Sequence, residues 1–101
     1  NFINANLSEV NLTGVFFANA NLSGADLTNS ELIAADLAGC DFSKSNLKNT
    51  YLNHADLSGA NLNSAKNLTR DQIETAFISK ETILPHSIPL LWISNTEYEF
   101  E

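Results

Sequence analysis

Leu or Phe stands at every fifth position from Phe2 to Leu62, thirteen times without a miss. Two places before each of them, from residue 5 to residue 60, comes a small residue: Ala, Val, Ser, Thr or Cys. The other three slots of each pentad hold mostly Asn, Asp, Ser, Thr, Gly and Lys. The stretch Ala55-Asp56-Leu57-Ser58-Gly59-Ala60-Asn61-Leu62 shows nearly two periods of this pattern.

Neither regular element accommodates a period of five. On a helix of 3.6 residues per turn, apolar positions five apart drift around the axis instead of lining one face. On a strand, successive leucines would fall on opposite faces of the sheet. Gly and Asn between the leucines (Gly14, Asn19, Gly24, Asn29, Gly39, Asn49 and Gly59) predict frequent bends. A chain that bends once per pentad, always turning one large and one small residue the same way, closes into a square coil. Four pentads complete a turn, so residues twenty apart stack.

The pattern resembles the pentapeptide-repeat proteins, whose unit is Ala-Asp/Asn-Leu followed by two polar residues. Ala25-Asp26-Leu27-Thr28-Asn29 and Ala35-Asp36-Leu37-Ala38-Gly39 carry the resemblance, which covers about 65 residues. It implies an all-β solenoid, a right-handed quadrilateral β-helix of about three coils, with the Leu or Phe and the small residue both inward.

Stacking by twenty places Phe2, Leu22, Phe42 and Leu62 in one interior column, and Phe17, Leu37 and Leu57 in another. Cys40 falls between Ala20 and Ala60, which makes it a buried filler, not a nucleophile. Ser30 and Thr50 share an inward column, so their hydroxyls need partners, either a backbone carbonyl or each other. The slot before each Leu or Phe points outward and is mainly Asn or Asp, suited to bonding backbone amides at the bends. Phe16 and Tyr51 break that rule and are candidates for a cap or a partner contact. Asp36 and Asp56 stack in the column of Phe16. Read along the chain, Lys44, Lys48 and His54 interrupt the acidity, so no clean negative stripe is expected.

The period fails at Asn67, which sets a domain boundary: repeats over 1–65, cap and tail over 66–101. Thr69-Arg70-Asp71-Gln72 spells a capping box, with Leu68 and Ile73 placed as a hydrophobic staple. A short helix is predicted from Arg70 to about Ala76 or Phe77, with Ile73 and Phe77 covering the last coil as a C-terminal cap. The tail through Thr82 and Leu84-Pro85 resembles the one that follows such repeats in cyanobacterial and plastid members. The apolar run Ile88 to Ile93, with the single Trp92, folds back to complete the cap or forms an exposed hook for another chain. From Glu97 to Glu101 acidic and aromatic residues alternate, as in an edge strand or a disordered terminus.

A net charge of -7 disfavours nucleic acid and anionic lipid as partners. The longest apolar runs are too short for a membrane span. With one cysteine there is no internal disulfide, and the compartment stays open between cytoplasm and thylakoid lumen. The chain begins in mid-repeat without Met, as a piece of something longer would. His54 and His86 have no metal-ligand partners at suitable spacing, no phosphate loop or nucleophile motif occurs, and no cofactor is expected. The expectation is a non-enzymatic structural or protein-interaction module with a protein partner. Its candidate surface comprises Phe16, Asp36, Tyr51, Asp56 and Trp92. The resemblance implies one alternative, since some members mimic B-form DNA and act on DNA gyrase. The outward columns are too mixed for a flat ice- or sugar-binding ladder.

Overall fold

A computed structural model describes residues 1–92 and 97–101. Parallel bridges join outward positions twenty residues apart, from Asn6 with Asp26 to Asn46 with Lys66. Four pentads therefore carry the chain once around, and successive coils stack as rungs about 4.8 Å apart. We number the walls by their outward positions. Wall 1 carries residues 1, 21, 41 and 61, and wall 2 carries 6, 26, 46 and 66. Wall 3 carries 11, 31 and 51, and wall 4 carries 16, 36, 56 and 77.

One pentad, Asp26 to Ser30, shows why the sequence folds this way. The Asp26 amide donates to the Ala5 carbonyl on one neighbouring rung (2.9 Å). The Leu27 and Asn29 amides donate to Asn46 and Lys48 on the other (2.9 and 3.0 Å). The Ser30 amide closes the bend onto the Leu27 carbonyl (3.0 Å). Only the Thr28 amide lacks a backbone acceptor, and the Asp26 carboxylate takes it (3.0 Å). All five amides are thus satisfied, which is the condition for packing backbone this tightly. Asn29 sits at φ 61°, the left-handed conformation the bend requires and one Asn tolerates well. Gly24 occupies the equivalent place at φ +70°, and a Cβ there would collide with the Asn4 side chain on the adjacent rung.

Inside, the Leu and Phe columns form one continuous core from Leu22 to Leu62, with Ala25, Ala35, Cys40, Ala55 and Ala60 between them. Cys40 is buried and its Sγ lies 2.9 Å from the Phe17 carbonyl oxygen. Burial pushes its thiol up to about 11, so it stays protonated and inert. Thr50 Oγ1 and Ser30 Oγ both donate to the Leu27 carbonyl (2.7 Å each), the backbone option expected for that column. Among the described residues no buried polar side-chain atom lacks a partner.

Bridges continue past residue 65, which the failure of the period did not anticipate. A helix, α1 (Arg70–Thr75), enters where wall 3 would receive its next rung. Its capping box is formed: the Gln72 amide donates to Thr69 Oγ1 and the Thr69 amide to Gln72 Oε1. Ile73 is fully buried and joins the core. The helix stops at Thr75 because Ala76 is already extended (φ -100°, ψ 169°). Phe77 then bridges Asp56 on wall 4, and Ile83 bridges Asn61 on wall 1.

This corrects the expected role of Phe77. It does not cover the last coil; it points outward and is 59% exposed. Ala76-Phe77-Ile78 repeats the small, outward, large order of a pentad, so Ala76 and Ile78 turn inward and Phe77 out. After Pro89 the chain forms a hairpin of β1 (Leu90–Trp92) against β2 (Tyr98–Phe100), antiparallel. Tyr98 and Phe100 pack on the core. Arg70 holds this end, its Nη2 donating to the Glu101 carbonyl (2.8 Å) and its guanidinium 5.1 Å from the Phe100 ring centre. Ile93 of the apolar run and Thr96 of the alternating run lie outside the described residues. Among the described residues no helix is long and apolar enough to cross a membrane.

Candidate interaction surface

The outward slot is governed by the one amide in each pentad that the ladder leaves over. Asn or Asp there accepts from the amide two residues on: Asn11 from Thr13, Asn21 from Ser23, Asp36 from Ala38, Asp41 from Ser43, Asp56 from Ser58. At Asp41 and Asp26 a hydroxyl joins in. Ser43 Oγ donates to Asp41 Oδ1 at 2.6 Å, and Thr28 Oγ1 to Asp26 Oδ1 at 2.7 Å. These side-chain bonds, reinforced by the amide bonds, hold both carboxyls below the ordinary carboxylate range.

Three repeat slots depart from this chemistry. Phe16, Glu31 and Tyr51 make no such bond, and the amides of Ala18, Ile33 and Asn53 are left to solvent. Phe16 is 87% exposed and recovers little of the lost bond by packing within the chain, whereas Tyr51, 54% exposed, keeps part of its ring covered. Tyr51 sits above Glu31 on wall 3. Beside it, a hollow of about 510 Å³ opens between the wall and α1, lined by Lys48, Asn49, Asn53, Asp71, Gln72 and Thr75 among others.

Of the five residues singled out from the sequence, Phe16, Asp36 and Asp56 stand in one column on wall 4. Tyr51 is on the adjoining wall 3. Trp92 is separate, half-buried in the tail hairpin with its ring edge-on to Tyr98 (5.4 Å), beside a second hollow of about 360 Å³ formed with Pro85, His86 and Pro89. Phe77 was missed. It extends the wall 4 column by one rung and lies 6.2 Å from the His54 ring. Its signal was the small and large neighbours Ala76 and Ile78, hidden because α1 shifts the spacing from Leu57 to Ile78 by one residue.

The charges are also sorted by wall. Lys44, Lys48 and Lys66 all lie on walls 1 and 2, where Glu9, Asp26 and Asp41 balance them. Walls 3 and 4 carry Glu31, Asp36 and Asp56 over the repeats, with no Lys or Arg. No wall is a clean negative stripe, as expected, yet the halves differ: walls 1 and 2 are balanced, whereas walls 3 and 4 carry three carboxylates and His54 without a lysine. Among the described residues, no group of three or more His, Cys, Asp or Glu could hold a metal ion.

Eight copies of the pentapeptide-repeat family model match the chain, over residues 1–37 and 30–66. The chain belongs to the pentapeptide-repeat family. It is similar in structure to the pentapeptide repeat protein Rfr23 of the cyanobacterium Cyanothece 51142. That match has a TM-score of 0.71 and 29% identity over 80% of this chain and 54% of the other. A pentapeptide repeat protein of the Arabidopsis thaliana thylakoid lumen matches at 28% identity and TM-score 0.44, over 80% of this chain and 45% of the other. HetL of Nostoc sp. strain PCC 7120, involved in heterocyst differentiation regulation, matches at 28% and 0.45, over 83% and 40%. The chain thus spans about half the length of the solved structures it matches. None of the curated proteins matches it. Pentapeptide-repeat proteins form β-helices, and this chain is a repeat module of that kind.

Proposed function

We propose that this pentapeptide-repeat chain is a non-enzymatic module that works by binding a protein on its outer wall. In this reading residues 1–65 build a right-handed quadrilateral β-helix of about three coils. Residues 66–101, with α1 against the last rung, close its end. The observation that carries the proposal is the pair Phe16 and Tyr51, which give up a backbone bond and stand exposed. A side chain that costs the fold a hydrogen bond and still leaves more than half of its surface exposed is explained by contact with another molecule. The interior offers no competing site, since its columns are filled by Leu, Phe and Ala.

The gyrase-directed alternative draws less support. A mimic of duplex DNA calls for acid around the rod, whereas walls 1 and 2 pair three acidic residues with three lysines. The test is affinity capture from the source organism, comparing the chain with a Phe16→Asn/Tyr51→Asn variant that returns both slots to the repeat rule. A protein retained by the first and lost by the second is the expected result. Equal capture by both would remove these rings from the interface, and capture of gyrase subunits would favour the alternative.

A further inference from the structure

Resting on the interaction-module reading, we propose that wall 4 docks a polypeptide segment that carries a cationic side chain between apolar ones. Four consecutive rungs of this wall present Phe16, Asp36, Asp56 and Phe77, joined by three parallel bridges. Both rings are largely exposed, and three rungs set them about 14 Å apart. Between them the two carboxylates stand one rung apart, about 4.8 Å. Among the described residues neither carboxylate meets a Lys or Arg, and each accepts from an amide two residues on.

The neighbouring residues keep this column open. The bends that follow it carry the small Ala18, Ala38 and Ser58, and those that precede it carry Gly14, Ile33-Ala34 and His54, whose ring lies 6.2 Å from that of Phe77. The lysines of the repeats lie on the two walls that do not share this column, so nothing there competes for the carboxylates. Lys80 comes only after Phe77, next to Glu81.

Two like charges directly opposite on adjacent rungs repel, and a cation seated between them relieves that repulsion. A guanidinium suits the place because its fork can address both carboxylates at once. The rings at either end offer apolar contact and, through their faces, a further attraction for the cation. Nucleic acid is repelled by the same charges. A second copy placed face to face would set carboxylates against carboxylates. A basic, apolar-flanked peptide satisfies both the charge and the rings.

The test is selection of a displayed library of random dodecapeptides on the whole chain, followed by titration of the selected peptides. Two variants serve as controls. Asp36→Asn/Asp56→Asn keeps the amide acceptor at both slots while removing the charge, and Phe16→Asn restores the repeat rule. The charge variant is checked for an unchanged melting transition, and Phe16→Asn for one that is not lowered. Enrichment of peptides with Arg or Lys between apolar residues is expected, with affinity at least tenfold weaker for the charge variant and several-fold weaker for Phe16→Asn. Selected peptides that lack cationic residues, or bind the charge variant equally well, would overturn the wall 4 assignment and leave the module reading standing. Dimerisation of the free chain that is abolished by Phe16→Asn would also overturn it, by making a second copy the occupant. An absence of any enrichment would overturn the wall 4 assignment, while the module reading is decided by the capture experiment.

Discussion

The two ends of the coil stack have the same repeat chemistry and very different surroundings. In the first coil Phe2, Leu7, Leu12 and Phe17 are only half-buried, although each occupies the same slot as a fully buried Leu one rung further on. The backbone amides of Asn6, Asn11 and Phe16 find no acceptor among the described residues. At the other end Leu52, Leu57 and Leu62 are sealed, with Ile73, Ala76, Ile78 and Leu84 beyond them. Burial in this architecture therefore belongs to the stack and not to the individual coil: a leucine is dry only when a rung lies on either side.

The sealed end also shows how irregular chain can finish a regular ladder. On wall 3 the next strand is replaced by α1, and the Gln72 side chain does the work of the missing backbone. Its Nε2 donates to the carbonyls of Leu47 (2.7 Å) and Thr50 (3.0 Å). Beyond wall 4, Thr82 Oγ1 donates to the Leu57 carbonyl at 2.8 Å, as Thr50 does to Leu27 on the opposite wall.

The largest effect that would break this comparison comes from making one substitution at both ends. Leu52→Ala is expected to cost about 2–5 kcal/mol, the range for emptying a sealed core site. Leu12→Ala, in the same column but half-exposed, should cost less than half of that in urea unfolding. Equal losses would mean that the first coil is as dry as the others. Next in size, Gln72→Ala should cost about 1–3 kcal/mol, because it strands the Thr50 carbonyl and leaves that of Leu47 with only the Thr50 amide. A melting temperature unchanged by that variant would show that water replaces the amide without loss.

Phe16→Asn is expected to act in the opposite direction, raising stability by about 0.5–1.5 kcal/mol through the restored bond to the Ala18 amide. The same gain should follow Tyr51→Asn. A loss at either position would show that the ring already packs usefully within the chain.

The smallest effect is the pH dependence of the bends. Asp26 and Asp41 have carboxyls held below the ordinary range by the Thr28 and Ser43 hydroxyls. Unfolding would release them to the ordinary value, so their stabilisation is present above the usual carboxylate pKa and fades as pH falls through the folded one. Thr28→Ala and Ser43→Ala should each move the corresponding carboxyl titration, followed by ¹³C NMR, back toward the ordinary value. Titration midpoints that stay in place would rule out the hydroxyls as the cause.

Most of the interior was legible because a period of five admits few structures. The inward columns, Cys40 as filler and the need of Ser30 and Thr50 for partners all follow from it, while the choice of the Leu27 carbonyl over each other does not. Two features of the surface were not. Phe77 was read as part of a helical face because Ile73 lies four residues before it, yet the helix ends at Thr75 and the pentad order resumes. The sorting of Lys44, Lys48 and Lys66 onto walls 1 and 2 is invisible along the chain, where they simply follow and flank acidic residues. It emerges only when positions are grouped by twenty. Interiors are dictated by local steric demands, whereas outer walls depend on which residues the winding brings together.

The winding has a consequence for how such a chain can change in length. A block of twenty residues inserted between Ala38 and Asp56 would add one rung and move Phe16 about 4.8 Å farther from Phe77, with both still in line. A block of five would instead rotate everything after it by a quarter turn and carry Phe77 around the corner. The molecule is a ruler whose marks can be respaced only in units of twenty, and any smaller edit turns the scale away from the reader.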